Sequence, residues 1–295
     1  MNHTSLEIFL VVAEELSVVK AAKRLGRVQS NVTTRIQRLE EELDAQLFIR
    51  ENKKLRLSPQ GKKFLTYSRK ILSLAEEARQ SLHPGTPNGV LALGAMESSV
   101  ASRLSAPLAA FSKSCPEVKL KLSTGPTRQL TEKVLMSELD SALVALPTDE
   151  NGEAQCADSL EYHPLFIEKL LLILPAAMKS VNRLEDIHEG QLATFARGCT
   201  YRETAIELLS QMAGGGEKIR IQEVNSYHAM LACVASGAAM CMLPESVLAL
   251  LQLPDGLNIL PVGTSTTQFI WRKDFSSPAM DKLLGILQNT SNIKA

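Results

Sequence analysis

Residues 4–43 place three helix-sized segments in a row with almost nothing between them, and this spacing constrains the fold more than any other feature. Thr4-x-x-Glu7 has the form of a capping box, in which two side chains satisfy orphan backbone groups at a helix start. Leu6, Phe9, Leu10 and Ala13 follow at helical spacing. Ser17 is placed to cap a second short helix carrying Val19, Ala22 and Leu25, and Gly26, which tolerates a left-handed backbone, stops it. A third helix is predicted from about Gln29 to Leu43, with Val32, Ile36, Leu39 and Leu43 on one face. Three short helices with a tight turn between the second and third is helix-turn-helix spacing.

The next residues predict a small hairpin. Leu47–Arg50 and Leu55–Leu57 are strand-like runs around the polar turn Glu51-Asn52-Lys53-Lys54, a wing with a basic tip. Ser58-Pro59 opens a long helix, the serine as N-cap and the proline pre-set for the first helical position, and the helix runs to about His83. Phe64, Tyr67, Ile71, Leu74 and Ala78 recur along it at spacings of three and four. A heptad stripe without a partner in its own chain usually pairs with a copy of itself, so these five residues are the expected dimer seam.

After Pro87 the pattern changes to alternating strands and helices, which implies βαβ units and a largely parallel sheet. Strands are predicted at Gly89–Gly94, Val118–Ser123, Ala142–Leu146, Leu170–Leu174, Gln191–Phe195, Ile219–Val224, Ala239–Leu243 and Thr267–Arg272. Helices are predicted over Ser98–Ser114, Thr127–Ser137, Tyr201–Met212 and Ser226–Ser236, and from Pro244 and Pro278. The region is too long for one simple sheet, and two α/β lobes with a cleft between them fit it best. The expected division is 1–58 for the winged helix-turn-helix, 59–86 for the linker helix and 87–295 for a second domain. Its two lobes would be 87–161 with 267–295, and 162–266.

Charge narrows the partner. The 295-residue chain is formally neutral, with 32 basic and 32 acidic residues. Residues 1–86 nevertheless hold 15 Lys+Arg against 10 Asp+Glu, and the remainder 17 against 22. A basic N-terminal part on a neutral chain implies that this part meets a polyanion, the alternative being a chance fluctuation of surface charge. The five cysteines, Cys115, Cys156, Cys199, Cys233 and Cys241, are odd in number and lack C-x-x-C spacing, as expected of free thiols in a reducing compartment. The longest apolar stretches, around Leu170–Leu174 and Ala232–Leu243, fall short of the about 20 residues of a membrane span. No signal peptide is recognisable, and the expected location is the cytoplasm.

Residues 1–83 resemble the DNA-binding half of LysR-type transcriptional regulators. The likeness rests on Phe9-Leu10-Val11-Val12-Ala13, Ala21-Ala22-x-x-Leu25 and Gln29-x-x-x-Thr33-x-x-Ile36-x-x-Leu39-Glu40-x-x-Leu43, then on Leu47-Phe48-x-Arg50 and Leu57-Ser58-x-x-Gly61. It departs from the family pattern at Val28, where a serine or threonine cap is common, and at Ser30, where proline is common. The departure concerns the local cap and not the fold. Leu231-x-x-Val234-x-x-Gly237-x-x-x-x-x-Leu243-Pro244 and Trp271-Arg272-Lys273-Asp274 extend the resemblance to the family's effector domain. It implies an α/β architecture with a mainly helical N-terminal winged helix-turn-helix and a C-terminal two-lobed effector domain like the periplasmic binding proteins. It also implies that two dimers form a tetramer, and that the effector alters DNA bending or operator contacts.

The recognition helix carries Gln29, Ser30, Asn31, Thr33, Thr34, Arg35 and Arg38 on its polar side. Amides and hydroxyls at a helix N-terminus reach base edges, whereas the helix end and Arg35 suit phosphate. Lys53, Lys54 and Arg56 are expected at phosphate or in the minor groove. The bland alternatives are a solvated helix face and a charged turn guarding a sheet edge. In the second domain Ser98, Ser99, Thr127, Arg128 and Ser226 stand at predicted helix starts after strands, where open α/β sheets place ligands. Plain N-capping explains the hydroxyls equally. Tyr201 and Arg202 complete the expected effector set, and the lining favours a small molecule with a carboxylate or another anionic group. Arg197 and Arg202 around Cys199 suit a carboxylate or a lowered thiol pKa, but no resolving cysteine is identifiable, so a bystander thiol is the expected reading. His228 has no second ligand at i+3 or i+4 and is not expected to bind metal. Gly214-Gly215-Gly216 follows a helix, the reverse of a phosphate-loop context.

The resulting expectation is a regulator without cofactor or catalytic set that binds a double-stranded DNA operator as a homodimer or homotetramer under control of a small-molecule effector. The rivals are an enzyme or solute-binding module on the two-lobed fold, and an architectural DNA-binding protein with a dead pocket.

Overall fold

The computed structural model describes the chain except for residues 53, 83–86, 149–151, 188, 213–218, 292 and 294–295. The expected Lys53 contact, the end of the linker helix at His83, the 86/87 boundary and the triple glycine therefore lie outside the described residues. The chain divides into two units, Met1–Pro84 with Met136–Glu138, and Gly85–Leu135 with Leu139–Ala295.

The first unit begins with α1 (His3–Glu15), α2 (Val18–Arg24) and α3 (Gln29–Leu43). The start of α1 differs from the predicted capping box. Asn2, held in extended conformation, accepts from the Ser5 amide at 2.9 Å, so the helix begins earlier and Thr4 lies within its first turn. Ser17 caps α2 through the Lys20 amide, and Gly26 follows the helix with φ +62°. Ile8, Phe9, Val12, Ala21, Val32, Ile36 and Leu39 close on one another as the core of this unit. The hairpin pairs β1 (Phe48–Glu51) with β2 (Lys54–Leu57), antiparallel, and Asn52 takes the left-handed conformation in its turn.

α4 (Pro59–Ser81) follows, and a small set of polar contacts fixes its start. Glu40 of α3 accepts from the Leu47 and Phe48 amides at 2.6 and 3.0 Å, which sets where β1 begins. Ser58 donates to the Gln46 carbonyl at 2.5 Å and accepts from the Gly61 amide at 2.8 Å. Gly61 sits so close to β1 that a Cβ there would stand 2.0 Å from the Leu47 carbonyl oxygen. The Leu57-Ser58-x-x-Gly61 motif is thus the joint between wing and helix.

The second unit is one eight-stranded sheet in the order β4-β3-β5-β10-β6-β9-β7-β8. Its first half holds β3 (Gly89–Ala95), α5 (Glu97–Ser102), α6 (Ser105–Ser114), β4 (Val118–Thr124), α7 (Thr127–Leu135) and β5 (Ser141–Val144). The second half begins after β6 (Leu160–Leu174), with β7 (Gly190–Thr194), α8 (Thr200–Met212), β8 (Ile219–Glu223), α9 (Tyr227–Ala235), β9 (Met240–Pro244) and α10 (Glu245–Leu248). β10 (Asn258–Arg272) and α11 (Pro278–Asn289) complete the chain. Within each half the strands are parallel, β3 with β4 and β5, and β7 with β8 and β9.

Two corrections to the predicted elements follow. The single helix expected over 98–114 is two helices, because a continuous one would set the Pro107 ring against the Arg103 carbonyl and lose a hydrogen bond. The short strands expected at 170–174 and 267–272 are the ends of two 15-residue strands, β6 and β10, paired antiparallel along their length. This pair joins the two parallel halves. Its register shifts between Pro261 and Gly263 and between Thr267 and Gln268. Buried Arg272, on β10, donates to the Val134 and Leu139 carbonyls at 2.8 and 3.0 Å, which ties the end of α7 to the sheet.

Candidate functional site

In the first unit, α3 buries Val32, Ile36 and Leu39 and leaves Gln29, Ser30, Asn31, Thr34 and Arg38 exposed. Thr33 and Arg35 are partly buried, and Thr33 donates to the Gln29 carbonyl at 3.0 Å, a bond within its own helix. Val28 is the N-cap residue and makes no side-chain cap bond. The first amides of α3 are thus left without the usual side-chain acceptor, as is suitable for a phosphate oxygen. Lys54 and Arg56 are exposed on the wing, Arg56 being 3.5 Å from Glu51. A concave surface of about 1000 Å³ lies between the helices and the hairpin; Gln29, Lys54 and Arg56 reach it, and so do Arg50 and Lys62. Those last two basic residues were not among the sequence candidates.

Along α4, Tyr67, Ile71 and Leu74 are exposed large side chains, with Leu74 at 63%. Ala78 is exposed on the same helix. Phe64, of the same stripe, is half-buried and packs against Phe9 at the edge of the unit's core, ring centroids 5.0 Å apart.

In the second unit a cavity of about 210 Å³ opens at the C-terminal ends of β3, β4, β7 and β8. Such crevices at strand ends are where open α/β sheets bind ligands. Ser98, Thr127 and Tyr201, three of the sequence candidates, line it. Glu97 and Asn225, which the sequence did not single out as contacts, complete the wall with Tyr227, Phe195 and Cys199. Phe195 and Tyr227 form an edge-to-face pair with centroids 5.0 Å apart.

The other candidates stand elsewhere. Ser99 is buried but outside the lining. Arg128 is exposed and pairs with Glu132 at 3.1 Å, while its amide donates to the Gly198 carbonyl. Arg202 is buried and donates to Glu223 at 2.6 Å and to the Phe195 carbonyl at 3.0 Å. Ser226 accepts from the Ala229 amide at 3.1 Å, as a plain N-cap of α9. Arg202 is thus turned to Glu223, away from the alternative of two arginines holding a carboxylate beside Cys199. Burial pushes the Cys199 thiol up, against the lowering effect of the Arg202 and Tyr201 amides that it accepts from. Burial likewise holds the Tyr201 and Tyr227 phenols well above their ordinary range. Ser98 and Thr267 stand near the Tyr201 hydroxyl, but that buried oxygen has no partner in hydrogen-bonding geometry.

The halves meet across this cavity. Thr200 Oγ1 donates to the Ala145 carbonyl at 2.6 Å and lies 2.9 Å from Thr127 Oγ1, which in turn lies 3.3 Å from the Met96 sulfur. Beside α5, Glu168 of β6 is buried and receives both Arg103 nitrogens at 2.7 and 3.0 Å and Ser246 at 2.6 Å. Among the described residues no group of three or more His, Cys, Asp or Glu is placed to hold a metal ion, and no helix is long and apolar enough to cross a membrane.

A winged helix-turn-helix unit and a sheet of two parallel halves around a ligand-sized cavity define a one-chain regulator with a DNA-reading part and a sensing part. The comparisons place it further. Residues 3–62 match the bacterial regulatory helix-turn-helix protein model of the lysR family, and residues 84–292 match the LysR substrate binding domain. The chain belongs to the LysR family of DNA-binding transcription regulators. It is 32% identical over 300 residues to the HTH-type transcriptional regulator GltR of Bacillus subtilis, covering 100% of this chain and 98% of that protein. It is 33% identical over 299 residues to the regulator CzcR of the same organism, covering 99% of each. Among solved structures it resembles a full-length OxyR variant from Pseudomonas aeruginosa, at TM-score 0.75, 22% identity and coverage of 100% and 99%. It also resembles full-length CbnR in complex with its target DNA, at TM-score 0.65, 23% identity and coverage of 99% and 100%. These relatives are regulators and not enzymes.

Proposed function

We propose that the chain is a cytoplasmic, sequence-specific regulator whose operator affinity is set by a small molecule bound in the cavity of the second unit. The observation that carries the DNA half is the exposed polar face of α3 and its uncapped start beside a basic concave surface. Gln29, Ser30, Asn31 and Thr34 read base edges, while Arg35, Arg38 and the basic wing residues hold phosphates. Two chains pair through Tyr67, Ile71 and Leu74 of α4 and present two α3 helices to half-sites about one helical turn apart. A further pairing of two such dimers into a tetramer belongs to the same reading. The effector acts only to the extent that it binds one arrangement of the halves or subunits better than another.

The test uses duplexes that the full-length protein enriches from a random pool. Their affinity for the protein is measured with and without the dialysable small-molecule fraction of a cell extract. A shift in affinity that disappears when the fraction is removed is the expected result. An operator affinity indifferent to every fraction contradicts effector control and leaves an architectural DNA-binding protein.

A further inference from the structure

The chemistry of the cavity wall points away from the anionic effector expected from the sequence. An anion at this place needs strong donors, a guanidinium or the open end of a long helix; the six-residue α5, whose start carries no side-chain cap, brings Glu97 to the wall beside the Ser98 hydroxyl. The amide of Arg128 at the start of α7 is bound to the Gly198 carbonyl. The start of α8 is occupied by Cys199, which accepts from the Tyr201 and Arg202 amides. The start of α9 is capped by Ser226. Arg128 and Arg202 are engaged by Glu132 and Glu223, and nearby Arg103 by Glu168. Among the described residues no Lys, Arg or His side chain lines the cavity.

What does line it is of the opposite sense. Among the described residues Glu97 is the one carboxylate on the wall; it is exposed and makes no ion pair there. Its charge reaches the Tyr227 phenol. Phe195, Tyr201 and Tyr227 supply three aromatic rings, two of them crossed edge to face. The phenols are protonated near neutral pH as ordinary phenols are, and burial opposes their ionisation further. Tyr201 is 4% exposed, and its buried hydroxyl stands beside Ser98 and Thr267. Aromatic faces with one carboxylate are the chemistry that recognises an organic cation. At about 30 Å³ for each non-hydrogen atom, the liquid volume of a water, the cavity has room for about seven.

We propose that the cavity takes a small organic ammonium, with its charged nitrogen toward Glu97 and its alkyl part among Phe195, Tyr201 and Tyr227. This rests on the reading of the cavity as the effector site and adds the ligand class. The test compares n-pentylammonium, 1-pentanol and pentanoate, which differ in charge and little in shape, by calorimetric titration of the full-length protein at pH 7.5. Pentylammonium is expected to bind at least about fivefold tighter than pentanol, the range of a cation held against aromatic faces, and pentanoate weaker than both. In Glu97→Gln, an exposed change that does not threaten the fold, the ammonium loses that advantage and pentanol affinity stays as it was. Equal binding of ammonium and alcohol, tighter binding of pentanoate, an unaltered preference in Glu97→Gln, or binding of none of the three overturns the proposal. If the proposal fails while a dialysable cell fraction still shifts operator affinity, the ligand class is wrong and the effector reading stands. If no fraction acts either, both fall.

Discussion

At the scale of single residues the molecule separates groups that build from groups that are left over. Gly61 is a builder: a methyl group there would meet the Leu47 carbonyl at 2.0 Å, and backbone does not yield as a flexible side chain does. Gly61→Ala is therefore expected to destabilise the first unit by at least about 2 kcal/mol, the cost of overpacking a close contact, measured by denaturant unfolding of the full chain. A stability equal to wild type would mean that wing and helix are not fixed by this joint. Gln29 and Arg35 are expected to part company in DNA binding. Gln29→Ala should relax discrimination at one base pair by about 1–3 kcal/mol. Arg35→Ala should weaken all sequences alike and lower the salt slope by about one. Mobility shifts on single-base operator variants over a range of salt would show it. An unchanged base preference in Gln29→Ala rejects the base-contact role. Cys199, with its thiol pushed up by burial, should alkylate slowly at pH 7.5 and faster as the pH rises. Rapid labelling near neutrality would contradict the protonated, buried thiol.

At the scale of elements, α4 combines two demands. Phe64 packs at the edge of the unit's core, whereas Tyr67, Ile71 and Leu74 stand in solvent in the single chain. A seam of that kind predicts that Ile71→Asp/Leu74→Asp loses the wild-type assembly in sedimentation, and tight operator binding with it, because charge buried in an apolar interface is strongly unfavourable. An unchanged oligomer would mean that the stripe is not the contact. The helices and hairpin of the first unit were legible in the sequence because their signals are local: a period of 3.6, serines at 17 and 58, glycine at 26. The long pair of β6 and β10 was not. Residues 161–164, 167 and 169 lie outside the core, and none of 258–266 is buried, so no continuous apolar run marks them; their pairing joins segments about a hundred residues apart. The cavity was legible in outline, since Ser98, Thr127 and Tyr201 do line it. The fate of the arginines was not, because whether Arg202 faces a ligand or Glu223 depends on side-chain direction and on a residue from another strand.

At the scale of the whole molecule, the second unit is two parallel half-sheets joined by the β6 and β10 pair, by a hydrophobic core that runs through both, and by polar bridges. The buried Glu168 is one such bridge, held by Arg103 from the first half and Ser246 from the second. Arg103→Ala leaves that carboxylate without its cation and should cost about 3 kcal/mol of stability. Equal stability, read by calorimetric unfolding, would show that water or another group replaces the guanidinium. The first unit supplies DNA contacts, and the second supplies a cavity whose occupant can favour one arrangement. The central claim is that α3 reads a defined DNA sequence from a symmetric dimer. Selection from random duplexes with the full-length protein tests it most directly. The account predicts enrichment of a two-fold symmetric motif, its half-sites one or more helical turns apart, about 10 base pairs each, with Gln29→Ala altering the same base pair in both halves. Enrichment of no motif, or of a motif indifferent to Gln29→Ala and to the other exposed α3 residues, would contradict it.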